Sequence, residues 1–152
     1  MSANIITKYA VASDKMVDEL LHLIRTWSSE HPGNEIDGQY TRKPLVNSMN
    51  SFSSQWLVTY HDDEPAGFAL LTEGGERPEF TAGRRAVQLS LFAVIKKYAA
   101  AGVGNSLLEK CLHIYKNREM MWMEPAMVQE QSVLLENYGF TKSSEYLVKE
   151  GL

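Results

Sequence analysis

The chain has 152 residues, 44% of them hydrophobic and 22% charged, which is ordinary globular usage and fits one domain spanning 1–152. Its 15 Lys+Arg against 19 Asp+Glu give a formal charge of −4, a mild acidity that speaks against nucleic acid and anionic membrane as partners, since both reward basic patches. No apolar run approaches the roughly 18 residues of a spanning helix, the opening MSANIITKYA lacks the cationic start and apolar core of a secretion signal, and the single cysteine, Cys111, excludes an internal disulfide and a Cys-rich zinc site. The expectation is a protein of a reducing compartment, the cytoplasm.

Asn4 to Tyr9 reads as a first strand. Ser13 or Asp14 can cap a helix running to about Ser28, with Met16, Leu20, Leu23, Ile24 and Trp27 on one 3.6-period stripe. The loop HPGNEIDGQ follows, then a second helix from Thr41 to Phe52 with Pro44 in its first turn, where proline is tolerated. QWLVTY and AGFALLT, joined by HDDEP, read as a hairpin of strands. Ala86 to Val94 is a third strong strand, apolar on both faces over Leu89 to Val94 and therefore central in its sheet. Ala99 to Gly104 opens a helix reaching about Lys116, with Val103, Leu107, Leu108, Cys111, Leu112 and Tyr115 on its buried stripe. MMWM at 120–123 reads as a strand, Gln129 to Asn137 as a short helix stopped at Gly139, and Ser144 to Lys149 as a last strand. The order β-α-α-β-β-β-α-β-α-β predicts an α/β (α+β) fold with a mixed central sheet flanked by helices.

The segment that carries chemistry runs from the strand LSLFAV through IKKYAAA into GVGNSLLEKC. A buried strand gives way to small residues and then to a helix. Gly102 and Gly104 remove side chains where the first helical N–H groups lie, and Ala99, Ala100 and Ala101 leave room for close approach. Unpaired amides and the positive end of a helix dipole make a phosphate site built from backbone. The same glycines also suit a tight strand-to-helix connection with no ligand. Gly-Asn-Ser in place of Gly-Lys-Ser/Thr excludes a Walker A loop, and two late glycines do not make a dinucleotide fingerprint.

These residues resemble the signature of the GCN5-related N-acetyltransferases. In that family a strand ending in Val leads through a short polar stretch into Arg/Gln-x-x-Gly-x-Gly/Ala at a helix start. Phe92-Ala93-Val94 stands at the strand end and Ala99-Ala100-Ala101-Gly102-Val103-Gly104 at the loop, with Tyr98 as the aromatic that often precedes it. Leu135-Glu136-Asn137-Tyr138-Gly139-Phe140 matches the family's aromatic-x-x-x-Gly-Phe ending in its Gly-Phe. The resemblance implies acetyl-CoA as cosubstrate and no metal. It implies that the backbone of Phe92, Ala93 and Val94 holds the pantetheine arm, and that Ala99 to Asn105 (Ala99, Ala100, Ala101, Gly102, Val103, Gly104, Asn105) hold the pyrophosphate, with Lys96 or Lys97 adding charge.

The sequence departs from that family at three places. Ala99 replaces the Arg/Gln, Val128 replaces an asparagine common near the last helix, and Leu135 stands where many relatives carry the tyrosine that protonates the departing thiolate. Leucine has no proton to give. Glu124, at a strand end beside the cleft, is the candidate for proton transfer, directly or through water, and Tyr138 is the candidate replacement acid. The backbone N–H near Ala93 or Val94 is the candidate for polarising the thioester carbonyl. Ser90 and Gln88 lie on the central strand where one of them can face the cleft. Glu30, His31, Glu35 and Asp37 make an acidic loop suited to a cationic acceptor. Trp27, the cluster Met120, Met121, Met123 and Met127, and Cys111 read as packing, and His22, His61 and His113 as surface residues without metal-ligand spacing. The expected function is acetyl transfer to an amine of a small molecule or protein, by direct attack. The alternative is a CoA-binding or partner-binding module of the same fold without turnover. A homodimer fits an enzyme of this size.

Overall fold

Ser13 starts the first long helix as its sequence suggests: its hydroxyl accepts the Met16 N–H at 3.3 Å, satisfying one of the four amides that a helix start leaves unpaired. In the computed structural model, which describes residues 3–124, 131–143 and 145–152, this helix is α1 (Asp14–Glu30). It buries Leu20, Leu23, Ile24 and Trp27, the stripe that the 3.6-residue period picks out. It follows β1 (Ile5–Tyr9) and precedes α2 (Arg42–Met49). The second helix is shorter than its pattern predicts, and Phe52 stands beyond it, fully exposed.

Strands β2 (Ser54–His61) and β3 (Glu64–Thr72) form the expected hairpin with a tighter turn than HDDEP suggests. Asp62 and Asp63 make the turn, at φ 48° and 71°, and aspartate is one of the few side chains that tolerate that region. Asp62 is also fastened to the start of β1: its carboxylate accepts the Asn4 N–H and its own N–H donates to the Asn4 carbonyl, both at 2.8 Å.

The chain continues through β4 (Ala86–Val94), α3 (Val103–Ile114), β5 (Met120–Met123), α4 (Ser132–Asn137), β6 (Thr141–Ser143) and β7 (Tyr146–Glu150). The sheet runs β1-β2-β3-β4-β5-β7-β6, with β4–β5 its parallel pair and the other pairings antiparallel. The mixed α/β architecture is the expected one, and β4 is central. Two details are corrected. The last strand of the sequence reading, Ser144 to Lys149, corresponds to β7, and a further strand, β6, precedes it unread, because its three residues are all exposed and offer no apolar alternation. Helix α3 starts at Val103 rather than near Ala99, because Gly102 at φ 82° breaks the helical path ahead of it.

Two main cores lie on the two faces, with a third small cluster of Ala86, Met120, Trp122 and Val148. Helices α1 and α2 cover Trp56, Val58, Tyr60, Phe68, Leu70, Leu91 and Ala93. Helices α3 and α4 cover Leu57, Ala69, Leu71, Val87, Leu89 and Phe92. Along β4 the odd residues Val87 and Leu89 face α3, yet Leu91 and Ala93 face α1. The switch occurs at Ser90, an extra residue in the pairing: Leu71 pairs with Leu89 and Leu70 with Leu91. This is a β-bulge, and one inserted residue reverses every side chain after it. The Ser90 hydroxyl is bonded to the Thr72 hydroxyl at 2.8 Å.

Candidate active site

Strand β5 pairs with β4 only at Ala86, Val87 and Gln88. Among the described residues β4 has no β5 partner from Leu89 to Val94, so the parallel pair opens into a gap whose apex is at Gln88 and Trp122. The Ile95 N–H donates to the Ala66 carbonyl at 3.1 Å. By the two-residue alternation of a strand, the main chain of Ala93 and Leu91 also faces β3, and that of Phe92 and Val94 faces the gap. The expectation that Ala93 itself offers an N–H to a ligand is thereby corrected: its amide belongs to the β3 ladder, and Phe92 and Val94 present theirs.

The gap leads to the loop before α3. A single 3-10 turn, Lys96–Tyr98, follows β4. Four amides here are taken: Tyr98, Ala99 and Ala101 donate to Ile95, Lys96 and Tyr98 carbonyls, and the Lys96 N–H donates to the Glu30 carboxylate at 3.0 Å. The N–H groups of Ala100, Gly102, Val103, Gly104 and Asn105 have no partner among the described residues; the Ser106 N–H is the first to close the helix, on the Gly102 carbonyl. Of these residues Ala100, Gly102 and Asn105 are exposed, Gly104 is half-buried and Val103 is fully buried, so the solvent-facing donors at the positive end of this 12-residue helix are those of Ala100, Gly102, Gly104 and Asn105. A row of unpaired, accessible donors at a helix start is what an oxyanion needs.

The loop is braced from below. The Tyr98 hydroxyl is hydrogen-bonded to Glu64, and the Lys97 ammonium is 3.1 Å from the same carboxylate. The Tyr98 hydroxyl and then Lys97 hold the Glu64 carboxyl below its ordinary pKa. Of the two lysines proposed to add charge, Lys97 is thus engaged with Glu64, and the exposed Lys96 is left as the cation beside the amides. Neither Glu30 nor Glu64 stood out in the sequence as a partner of this loop, since each lies more than thirty positions from the residue it holds.

Glu124 is exposed, directly after β5, on the side of the gap opposite β4. Tyr138 does not reach into the gap with a free hydroxyl. Its O–H donates to Glu109 at 2.6 Å and accepts from the Asn105 amide at 3.4 Å, and the Glu109 bond raises its pKa. Leu135 is fully buried among the α3 and α4 side chains. Val128 and Met127 lie outside the described residues. Ser90 is bonded to Thr72 and Gln88 is half-buried at the apex. In the loop after α1, His31 stacks on Trp27 with ring centroids 4.1 Å apart, and Glu35 folds back on the Gly33 amide at 2.9 Å, which lowers its pKa. Cys111 is fully buried, which pushes its thiol pKa up. Among the described residues no group of His, Cys, Asp or Glu converges as metal ligands, and no helix is long and apolar enough to cross a membrane.

Comparison with known proteins agrees with this arrangement. The family model described as acetyltransferase (GNAT) family matches residues 17–140. Among solved structures, the chain is similar to a GNAT-family acetyltransferase from Streptococcus pneumoniae, at 17% identity and TM-score 0.74 over 97% of this chain and 99% of that one. It is similar to a GNAT-family protein from Desulfovibrio desulfuricans, at 17% identity and TM-score 0.73 over 98% and 100%. A third is the PaiA N-acetyltransferase from Thermoplasma acidophilum, solved in complex with coenzyme A, at 15% identity and TM-score 0.70 over 97% and 99%. At these identities the likeness is one of fold. A search of curated proteins finds no match.

Proposed function

Because the chain belongs to the GNAT acetyltransferase family, we propose that it moves an acetyl group from acetyl-CoA to an amine of a small molecule or protein. The observation that carries this reading is the set of unpartnered amides from Gly102 to Asn105 at the start of α3, of which those of the exposed Gly102 and Asn105 and the half-buried Gly104 face the mouth of the β4–β5 gap. They suit a pyrophosphate, with Lys96 adding a charge, and the main chain of Phe92 and Val94 suits the amides of a pantetheine arm lying along β4. A relative of the same fold binds coenzyme A, which supports the donor.

In the reaction the neutral amine nitrogen attacks the thioester carbonyl. The carbon–nitrogen bond forms, the carbon–sulfur bond breaks, and the amine loses one proton while the thiolate gains one. No covalent enzyme intermediate is needed, and the buried Cys111 cannot supply one. Glu124 is the proposed base, directly or through water. Tyr138 is the one side chain proposed here as acid, and reaching sulfur requires it to leave Glu109. Leu135 cannot protonate sulfur, so turnover by this protein depends on Tyr138 or on water.

The test is release of free coenzyme A from acetyl-CoA in the presence of a panel of amines. Release that needs an amine and is abolished by Gly104→Trp, which fills the loop, supports the proposal. Binding of acetyl-CoA without release on any amine contradicts it and supports a second reading, which Leu135 favours: a module of the same fold that binds coenzyme A without turnover.

A further inference from the structure

At the end of the sheet away from the α3 loop lies a second feature that acetyl transfer does not use. The segment between β3 and β4 and the turn before β5 enclose an open pocket of about 420 Å³ lined by Arg77, Arg84, Arg85, Arg118 and Glu73. Four guanidinium groups in one pocket are out of keeping with a chain of net charge −4.

Two of the four are neutralised. Arg118 forms a two-point bond with Glu73, at 2.7 and 3.0 Å, and Arg84 pairs with Glu119 and Glu150. The other two are held by carbonyl and hydroxyl oxygens. The Arg77 guanidinium donates to the Thr81 hydroxyl at 3.0 Å, the Thr81 carbonyl at 2.6 Å and the Arg84 carbonyl at 2.8 Å, and Thr81 is itself fully buried. The Arg85 guanidinium donates to the Asn117 carbonyl. Among the described residues no carboxylate reaches either side chain. Each is fixed by neutral acceptors, keeps N–H groups to spare and retains a full positive charge.

We propose that this pocket binds a phosphate monoester group, with Arg77 and Arg85 as its recognition residues. A phosphate monoester brings about two negative charges at neutral pH; the four guanidinium groups outnumber the carboxylates Glu73, Glu119 and Glu150 by one, and Arg77 and Arg85, whose side chains no described carboxylate engages, are the cations available to it. Guanidinium forks bind such oxygens at two points. Because backbone carbonyls already hold the side chains in place, little side-chain freedom is lost on binding. The site lies at the start of β4, and the donor loop follows the other end of that strand, so the two anion sites are separate.

Titration of the labelled protein with inorganic phosphate, followed residue by residue by NMR at constant ionic strength, tests this directly. The proposal expects saturable shifts at the Gly74 and Ala86 amides and the Arg77 and Arg85 side chains, and at least tenfold weaker binding there in Arg85→Met. Arg77→Lys keeps the charge but loses the fork, and is expected to weaken binding as well; it carries the test should Arg85→Met not fold. Shifts at these positions that stay linear with phosphate, or that are unchanged in the folded variants, overturn the proposal. Shifts at Gly102 to Asn105 are read separately and report on the donor loop, so the two readings fail independently.

Discussion

Gly67 and Gly104 stand on either side of Val94, and each is glycine because of what a side chain would strike. A Cβ on Gly67 would sit 2.8 Å from the Ala93 carbonyl oxygen, which is backbone and cannot step aside. A Cβ on Gly104 would sit 2.9 Å from Leu134 Cδ2, the mobile end of a side chain. Gly67→Ala is therefore expected to destabilise the fold by about 1–3 kcal/mol, the range for overpacking, and Gly104→Ala by less, both measured as urea unfolding free energies. Equal losses in the two variants would contradict this distinction between backbone and side-chain neighbours. Glu64 supplies a pH test at the same scale. Its folded pKa is depressed by Tyr98 and Lys97. The stability it adds is therefore fully present above its ordinary value of 4.5 and is lost as pH falls through the lower folded value. The difference in urea midpoint between the wild type and Glu64→Gln should shrink as pH is lowered from 7 to 3. A difference that stays constant would show that the carboxylate charge is not what braces the loop.

At the scale of elements, legibility followed the length and regularity of each pattern. Helix α1 could be read almost to the residue, since Ser13 caps it and Leu20, Leu23, Ile24 and Trp27 repeat at helical spacing. Ser13→Ala should cost about 1 kcal/mol by the same denaturation measurement, as for other serine caps. Strand β4 was legible as a central strand, but the Ser90 bulge was not. Leu89, Leu91 and Phe92 are apolar on both sides of Ser90, so the reversal of faces left no mark in the apolar pattern. The bulge matters because it determines which β4 residues turn toward α1 and which toward α3 along the gap. Strand β6 was illegible for the opposite reason: three exposed residues carry no pattern at all. Helix α4 contributes Leu135 to the core, and Leu135→Ala should lower stability by about 2–5 kcal/mol, as expected for a fully buried leucine.

For the whole molecule, what could be read from sequence was the backbone part of the site. Gly102 and Gly104 mark where amides stay unpaired, with no distant partner needed to see it, whereas the Ala99 and Ala101 amides, read as part of the same row, are taken by the Lys96 and Tyr98 carbonyls. The side-chain part depends on contacts between residues far apart in sequence. Glu30 on the Lys96 amide, Glu64 under Tyr98 and Glu109 holding Tyr138 all arise from the way α1, β3 and α3 meet around one end of the sheet. The Tyr138 proton could not have been assigned to Glu109 from spacing alone. The most direct measurement of the central claim is calorimetric titration of acetyl-CoA into the wild type and into Gly104→Trp. The amide row at the start of α3 predicts saturable one-to-one binding by the wild type and none by the variant. No heat and no thermal shift in the wild type at millimolar ligand, or equal affinity in the two proteins, would contradict it.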